Sequence, residues 1–571
     1  MMKLTVYKAK ETLERIESVF EDNNYKKKGQ EKYWKEQGVR MTLYMDIHEK
    51  NAPGWVKEVL DFFDTEELED YTIPDQYNAI IVVQTMKNIY LLPQGRAYWT
   101  VEKLADMNFG LNFAEKTILD KDISLKGVSY IQRNKMKGVT NYKQNQTEFP
   151  QASESYFSVS GKPRSESIFG SNLTCGTGIT FAREYSLNKG DEQEDEFIDL
   201  FGQIDIALSL KGNISSIPRL IKINKKDPLN TTLDTQLLGM IKKIDDNISI
   251  SFSISKIQLL GNRIIMLESD KKLTAYVTGS KKETEEEISI DGDQLKEYII
   301  KYSDLINDIS KLKFSVFDEE DCITKDVPFK KIVFCELQMG DKVYLLDNGM
   351  WGHFNNRFYS LVEEKMKEIN DIIDYNDEYS CQYESDESGE YAGEGGYIEA
   401  LAGISHMVKL HKRNINTHGT YIEVADIFNR NSKELLAIKR GTGTSMALYS
   451  FEQSLLSMQV LSNSNEFKVR DELLKYNDRK KYDDVKKYPN LTKKQLGEIM
   501  ECKTSCVLWL IDQKVTYVYE GVRNKNLDLL KFNSILLKLK IIDWYSFTKD
   551  NGYTPKIYFA LDLPLPMDVI D

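Results

Sequence analysis

Cysteine and histidine are scarce in this chain, with six and five among 571 residues. Only Cys502 and Cys506 lie close together, and no second pair or histidine cluster completes a zinc set, so no metal is assigned to them. The thiols are expected as packed side chains. His406 and His411 fall in a strand-like stretch, 404–413, on opposite faces by strand parity. They read as ordinary surface histidines rather than a shared metal site. Long apolar runs are also missing, since none approaches the roughly 18 residues that a bilayer span requires. The first residues, Met1 to Val6, lack the apolar core and small-residue cleavage site of a signal peptide. A soluble, cytoplasmic protein with no membrane partner is expected. Net positive charge is absent too. A formal charge of −13 argues against a protein that coats DNA, but 76 lysines and arginines leave room for a local basic groove. No internal repeat is visible.

What is present is enough apolar residue, 41% of the chain, to bury real cores. The length suggests about three or four domains. The expected class is mixed α/β (α+β), divided into an N-terminal α/β domain over 1–120, a loop-rich mixed domain over 121–320, and a C-terminal domain over 321–571. In the first, strands are expected at 4–7, 39–47, 78–84 and 88–92, with helices at 11–20, 53–63, 99–107 and 110–118. In the second, strand-like pieces at 125–132, 204–210, 248–259 and 272–277 alternate with polar loops, of which 141–155 and 188–196 look mobile. The glycines at 170, 176 and 178 match no phosphate-loop spacing and read as turn glycines. A helix at 293–312 closes this region. The third opens on a meander at 331–338, 342–347 and 350–355 with good hairpin turns, then a helix at 357–373 and an acidic loop at 374–390. After 461 come a charged helix and linker at 466–487, a strand at 506–512, a helix at 526–542 and a last strand at 556–562.

The most informative stretch runs from 393 to 461. Residues 421–428 alternate like one half-buried strand, and 434–440 form a second strand ending in Lys439 and Arg440. Gly441 to Ser445 then lead into an amphipathic run. Asp426, Lys439 and Gln453 therefore fall on strand, strand and helix, with Glu394 on a helix before them. Each has an ordinary reading as well: Asp426 as a turn cap, Lys439 and Arg440 as an exposed strand end, Ser445 as a helix N-cap. Lys409, His411, Lys412 and Arg413, with Lys439 and Arg440 nearby, form a small basic patch that either tracks phosphates or is simply solvated. The amides of 441–444 with Ser445 suit an anion at a helix start.

Several pieces together resemble a large, sporadically distributed prokaryotic family encoded among restriction and phage-defence genes. They are Asn108-Phe-Gly-Leu-Asn-Phe113, Tyr344 to Trp351, Gly393-Glu-Gly-Gly-Tyr397 (with Ile398 where the family has Asn), Ile422 to Asp426, Ile438 to Ser445 and Phe451-Glu-Gln453. Tyr449 stands where the family has a histidine. The core also resembles restriction-endonuclease-like nucleases, which implies an αβββα core and a Mg²⁺-dependent DNA-cutting defence protein. The resemblance implies Asp426 and a further acid as metal ligands and Lys439 as the lysine that stabilises developing charge. The second acid belongs at 437, which is alanine. Glu394 is the favoured replacement; Glu423 and Glu452 are the others, although strand parity turns Glu423 away from Asp426 unless a bulge intervenes. Catalytic roles fall to Asp426, Lys439, Gln453 and Glu394; metal binding to Asp426, Glu394 and Glu423; nucleic-acid contact to Lys412, Arg413, Arg440 and Ser445. DNA is expected before RNA. A phage-derived trigger, a defence partner protein and a homo-oligomer are compatible with this reading. An inactive nucleic-acid-binding or assembly component is the alternative.

Overall fold

The computed structural model describes residues 2–566 except 49–75, 131–132, 139–154, 165, 186–191, 225, 243–251, 255–256, 261–262, 267–272, 289–291, 318–322, 341, 348, 386–392, 418–419, 441–450, 452, 456, 459–460, 462–465, 483, 485–486, 513–515 and 533. The expected helix at 53–63, the loop at 141–155 save its last residue, Ser445 and Glu452 lie outside the described residues. The chain is a mixed α/β protein whose backbone groups into two compact units. One holds 1–150 and 154–224; the other holds 151–153 and 225–571.

The first unit is built on one long antiparallel sheet. Its strands lie in the order 26–34, 39–48, 76–84, 89–94, 2–8, 179–185, 173–175, 155–163, 118–130, 133–138. The sheet passes through residue 120 without a break, because the strand Ile118–Tyr130 continues directly from the helix Phe109–Thr117. The expected strand at 204–210 is part of a helix, Glu192–Ser209, which also covers 192–196 of the expected loop. The reason is visible in its spacing. Phe197, Phe201 and Ile204 are buried at helical intervals, whereas Ile206, which a strand would place beside Ile204, is 55% exposed.

The glycines of this unit are not all turn glycines. A Cβ on Gly110 would lie 2.3 Å from the carbonyl oxygen of Gly178 and 2.4 Å from that of Gly176, so the helix start lies directly on the backbone of the turn before Ile179–Tyr185. Asn108, in the same motif, donates to the Lys222 carbonyl and accepts from the Lys222 N–H. Glu115 pairs with the buried Arg219 at 2.8 Å. The 108–115 stretch therefore holds its own unit together.

In the second unit the meander forms at Val333–Met339, Lys342–Asp347 and Met350–Phe354. Trp351 is fully buried and its indole donates to Asp234 at 2.7 Å. The expected helix at 357–373 is Asn356–Asn370, capped by Asn355. The helix expected at 293–312 is shorter, Gly292–Lys301.

The C-terminal part is a sheet between two layers of helix. Helix α1 (Glu394–Ala402) is followed by β1 (Met407–Lys409), a hairpin of β2 (Asn414–Thr417) and β3 (Thr420–Glu423), then β4 (Ile427–Asn429) and β5 (Glu434–Arg440). Residues 451–461 are helical where described, and α2 (Glu466–Leu474) and α3 (Lys493–Glu501) precede β6 (Thr504–Ile511). After α4 (Ile535–Asp550) comes β7 (Thr554–Leu561). The sheet order is 373–374, β7, β6, β5, β4, β1. β4 pairs antiparallel with β1 on one side and β5 on the other, whereas β5, β6 and β7 run parallel.

Strand parity sorts the two faces. Leu436 and Ile438 of β5 join Leu508 and Leu510 of β6 under Tyr397, Ile398 and Leu401 of α1. Leu435, Phe428 and Val408 face the other way, against Met458, α2 and α3. Ala437 and Lys439 follow Leu435 on this second side. Glu434 opens β5 inside the protein, bonded to Tyr558, Lys556 and Ser432, and Lys439 stands at the opposite end.

Candidate metal centre

The expected strand at 421–428 is two strands. Val424 and Ala425 both enter the same apolar cluster, which consecutive residues of a regular strand cannot do, so the chain breaks between β3 and β4. The break cancels the parity argument against Glu423. Its carboxylate reaches the same side as Asp426, three residues on, and both meet His411.

Asp426 is the hub. Its N–H donates to the Leu436 carbonyl, and its own carbonyl accepts from the N–H groups of Leu410 and His411. Carboxylate Oδ2 accepts from the Ile438 N–H at 2.8 Å, and Oδ1 lies 2.7 Å from His411 Nδ1. Glu423 lies 3.2 Å from the same nitrogen and accepts from the Lys412 N–H and from Gln453 Nε2, the last at 3.1 Å. Lys439 Nζ donates to Glu394 at 2.6 Å. Ser457, on the Gln453 helix, donates to the Glu423 carbonyl at 2.6 Å and holds the break in place.

His411 stands in a turn rather than a strand, since β1 ends at Lys409. Lys412 closes the turn at φ +64°, a left-handed conformation uncommon outside glycine. The surface reading of His411 is thereby corrected, because its imidazole points inward between two carboxylates. His406 pairs with Glu378 at 3.4 Å instead. The sequence pattern puts His411 in a basic patch and gives no sign that it, or Ser457, meets Glu423, since those contacts are made only by the packing.

Electrostatics bind the group together. Burial, and then the Glu423 charge, push Asp426 above the usual carboxylate range, while His411 and Lys439 pull it down. Burial disfavours the imidazolium of His411, but hydrogen bonds to Asp426 and Glu423 outweigh it and hold the group at about 9. Burial also raises Glu394; Lys439 opposes that and the Asp426 charge adds to it. Three carboxylates thus face two cations, one of which is an exchangeable proton on His411.

One ligand atom each from His411, Glu423 and Asp426 lies within 4.8 Å of the others, the spacing of a metal-binding set. Gln453 Oε1 is buried and accepts no hydrogen bond among the described residues, which leaves room for a donor such as a bound water. The residues fit a divalent cation. Of the expected ligands, Glu423 and Asp426 are in the set. Glu394 is held by Lys439, and His411 takes the third place. Ala437 is buried beside Val507 and contributes no carboxylate.

The expected nucleic-acid residues fare differently. Arg413 is 1% exposed and donates to the carbonyls of Leu473 and Pro489, so it is an internal tie and not a surface contact. Lys409 is likewise buried, against Glu399. Arg440 pairs with the buried Asp562 at 2.6 Å and keeps 38% of its side chain exposed. It also packs on Gly393, whose φ of +53° and closeness to the guanidinium explain the glycine there. Lys412 is exposed.

The second unit therefore carries a mixed sheet between helices with a carboxylate–imidazole–lysine cluster at the end of β5, in a two-unit α/β protein. The model of a family of unknown function, DUF6119, matches residues 4–520, and the chain belongs to that family. No curated protein and no solved structure gives a match. No helix among the described residues is long and apolar enough to cross a membrane.

Proposed function

We propose that residues 394–511 are a restriction-endonuclease-like, divalent-metal-dependent nuclease core, in a defence protein that binds and cuts DNA. The reading rests on one observation above all. Glu394 at the start of α1, His411 in the turn after β1, Glu423 at the end of β3, Asp426 in the break before β4, Lys439 near the end of β5 and Gln453 on the helical stretch that follows form one polar cluster.

A divalent ion bound there would lower the pKa of a water and offset charge on the scissile phosphate. The Ile438 N–H and Gln453 orient Asp426 and Glu423, and His411 would join them as a ligand in its neutral form. An imidazole beside two carboxylates favours Mn²⁺ over the Mg²⁺ that the resemblance implies. Lys439, fixed by Glu394, is placed to stabilise negative charge developing on a phosphoryl oxygen. Gln453 Oε1 can accept from the attacking water.

Ala437 favours a second reading, nucleic-acid binding without cleavage. Incubating the full chain with supercoiled, linear and single-stranded DNA, and with RNA, in Mn²⁺ or Mg²⁺ separates the two. Cleavage that drops about a hundredfold or more in Asp426→Asn and in Lys439→Ala is the expected result. Every substrate left intact in both metals would sink the nuclease reading.

A further inference from the structure

The segment joining α2 to α3 carries, over 475–494, eight lysines and arginines against three aspartates, in a chain whose net charge is −13. Runs of this kind are usually solvated loops. The described residues of this one fold on a core of rings. Tyr476, Tyr482 and Tyr488 pack together with centroids 4.7, 5.0 and 5.4 Å apart. A cation lies over each ring: Lys475 over Tyr476 at 5.2 Å, Lys481 over Tyr482 at 5.7 Å, Lys487 over Tyr488 at 5.8 Å. Arg479 ties the turn by donating to the carbonyls of Tyr482 and Tyr488.

Helix energetics do not account for the charges. Lys493 and Lys494 fill the first turn of α3, where the macrodipole disfavours cations, although Thr492 and Gln495 form a complete capping box there. Lys480, Lys481, Lys493 and Lys494 are all exposed. Crowding of like charge reaches inward as well: burial, then the Arg479 charge, pull the Arg413 guanidinium down to about 10. Such a concentration of positive charge on a rigid support suits a polyanion.

The segment is also sewn to the turn that bears His411. Arg413 stacks on Tyr476 at 5.7 Å and bonds to Pro489, and the Tyr476 hydroxyl bridges the N–H and carbonyl of Asn414 at 3.0 and 3.1 Å. Arg413 follows His411 by two residues, so their Cα atoms are no more than about 7 Å apart.

We propose that the tyrosine-braced basic segment 475–494 grips the phosphate backbone of a nucleic acid and presents that strand to the cluster of His411, Glu423 and Asp426. The inference rests on the nuclease-core reading for its substrate class. Its binding groups are exposed lysines, so recognition is independent of base sequence and strongly dependent on salt.

The test is fluorescence anisotropy of the full chain with a labelled single strand and with its duplex, titrated with KCl. Wild type and the fourfold variant Lys480→Ala/Lys481→Ala/Lys493→Ala/Lys494→Ala are compared, with the charge reversal Lys480→Glu/Lys481→Glu as the second variant. A circular-dichroism melt confirms that each is folded. Wild type is expected to bind both the single strand and the duplex, and more weakly as KCl rises. The fourfold variant should bind about tenfold or more weakly, with a salt slope shallower by about 0.7–0.9 for each phosphate that is no longer neutralised. Equal binding and slope in wild type and both lysine variants would overturn the grip and leave the nuclease core standing. Binding through the segment with no cleavage in either metal would do the reverse. Absence of nucleic-acid binding at low salt would overturn the grip outright and point to an acidic protein as its partner.

Discussion

Two single residues show how much depends on close approach. Asp426 is bonded through both carboxylate oxygens and through its backbone N–H and carbonyl, and so fixes both the β4–β5 pairing and the candidate metal set. Gly110 plays a comparable part in the first unit, where no side chain fits between its helix and the 176–178 backbone. Gly110→Ala is expected to cost about 1–3 kcal/mol, because the obstruction is backbone that cannot rotate away. Urea unfolding followed by circular dichroism would measure it; an unchanged midpoint would show that the helix can shift at no cost. Local patterning exposed Asp426, Lys439, Glu394 and Gln453 as chemistry-bearing types at suggestive spacing. It could not expose His411, because a histidine in a turn has no periodicity to betray what it faces.

At the scale of elements, the informative failures are the broken strand and the turned-in arginine. Alternation over 421–428 is consistent with one strand, and only the joint burial of Val424 and Ala425 shows that it is two. Arg413 reads as a surface cation from its basic neighbours, yet it stitches the β1–β2 turn to α2 and to the Pro489 segment. Arg413→Met should destabilise the protein by about 1–3 kcal/mol, since the Leu473 and Pro489 carbonyls would be left without their donors inside the protein. Thermal melts would register this. Reduced nucleic-acid affinity with an unchanged melting temperature would instead restore Arg413 as a phosphate-binding residue. The helix over 451–461 is held to the sheet in a similar way: Trp544 donates to Ser454, which in turn meets Ser505. That chain of hydrogen bonds sets where Gln453 lies.

For the whole molecule, metal and stability are linked. An ion that binds the His411, Glu423 and Asp426 set in the folded chain only adds about 2.7 kcal/mol of stability at a hundred times its dissociation constant. Calorimetry with and without Mn²⁺ should therefore raise the transition that melts the second unit, in wild type and not in Asp426→Asn. Equal shifts in both would place the ion elsewhere. The two compact units also bear on this experiment, since a chain of this kind need not unfold in one step.

The sequence by itself determined the α/β class, the strands of the meander, the strands at 2–8, 39–48, 76–84 and 89–94 of the first unit, and which residue types could carry chemistry. These follow from local periodicity and turn preference, which neighbouring residues encode. Tertiary structure decided the extent of the first sheet, the helix at 192–209, the inward turn of His411 and Arg413, and the reunion of Glu423 with Asp426. Each of those depends on which distant surface a residue meets, and a break of three residues between strands is enough to overturn a facing that alternation alone assigns.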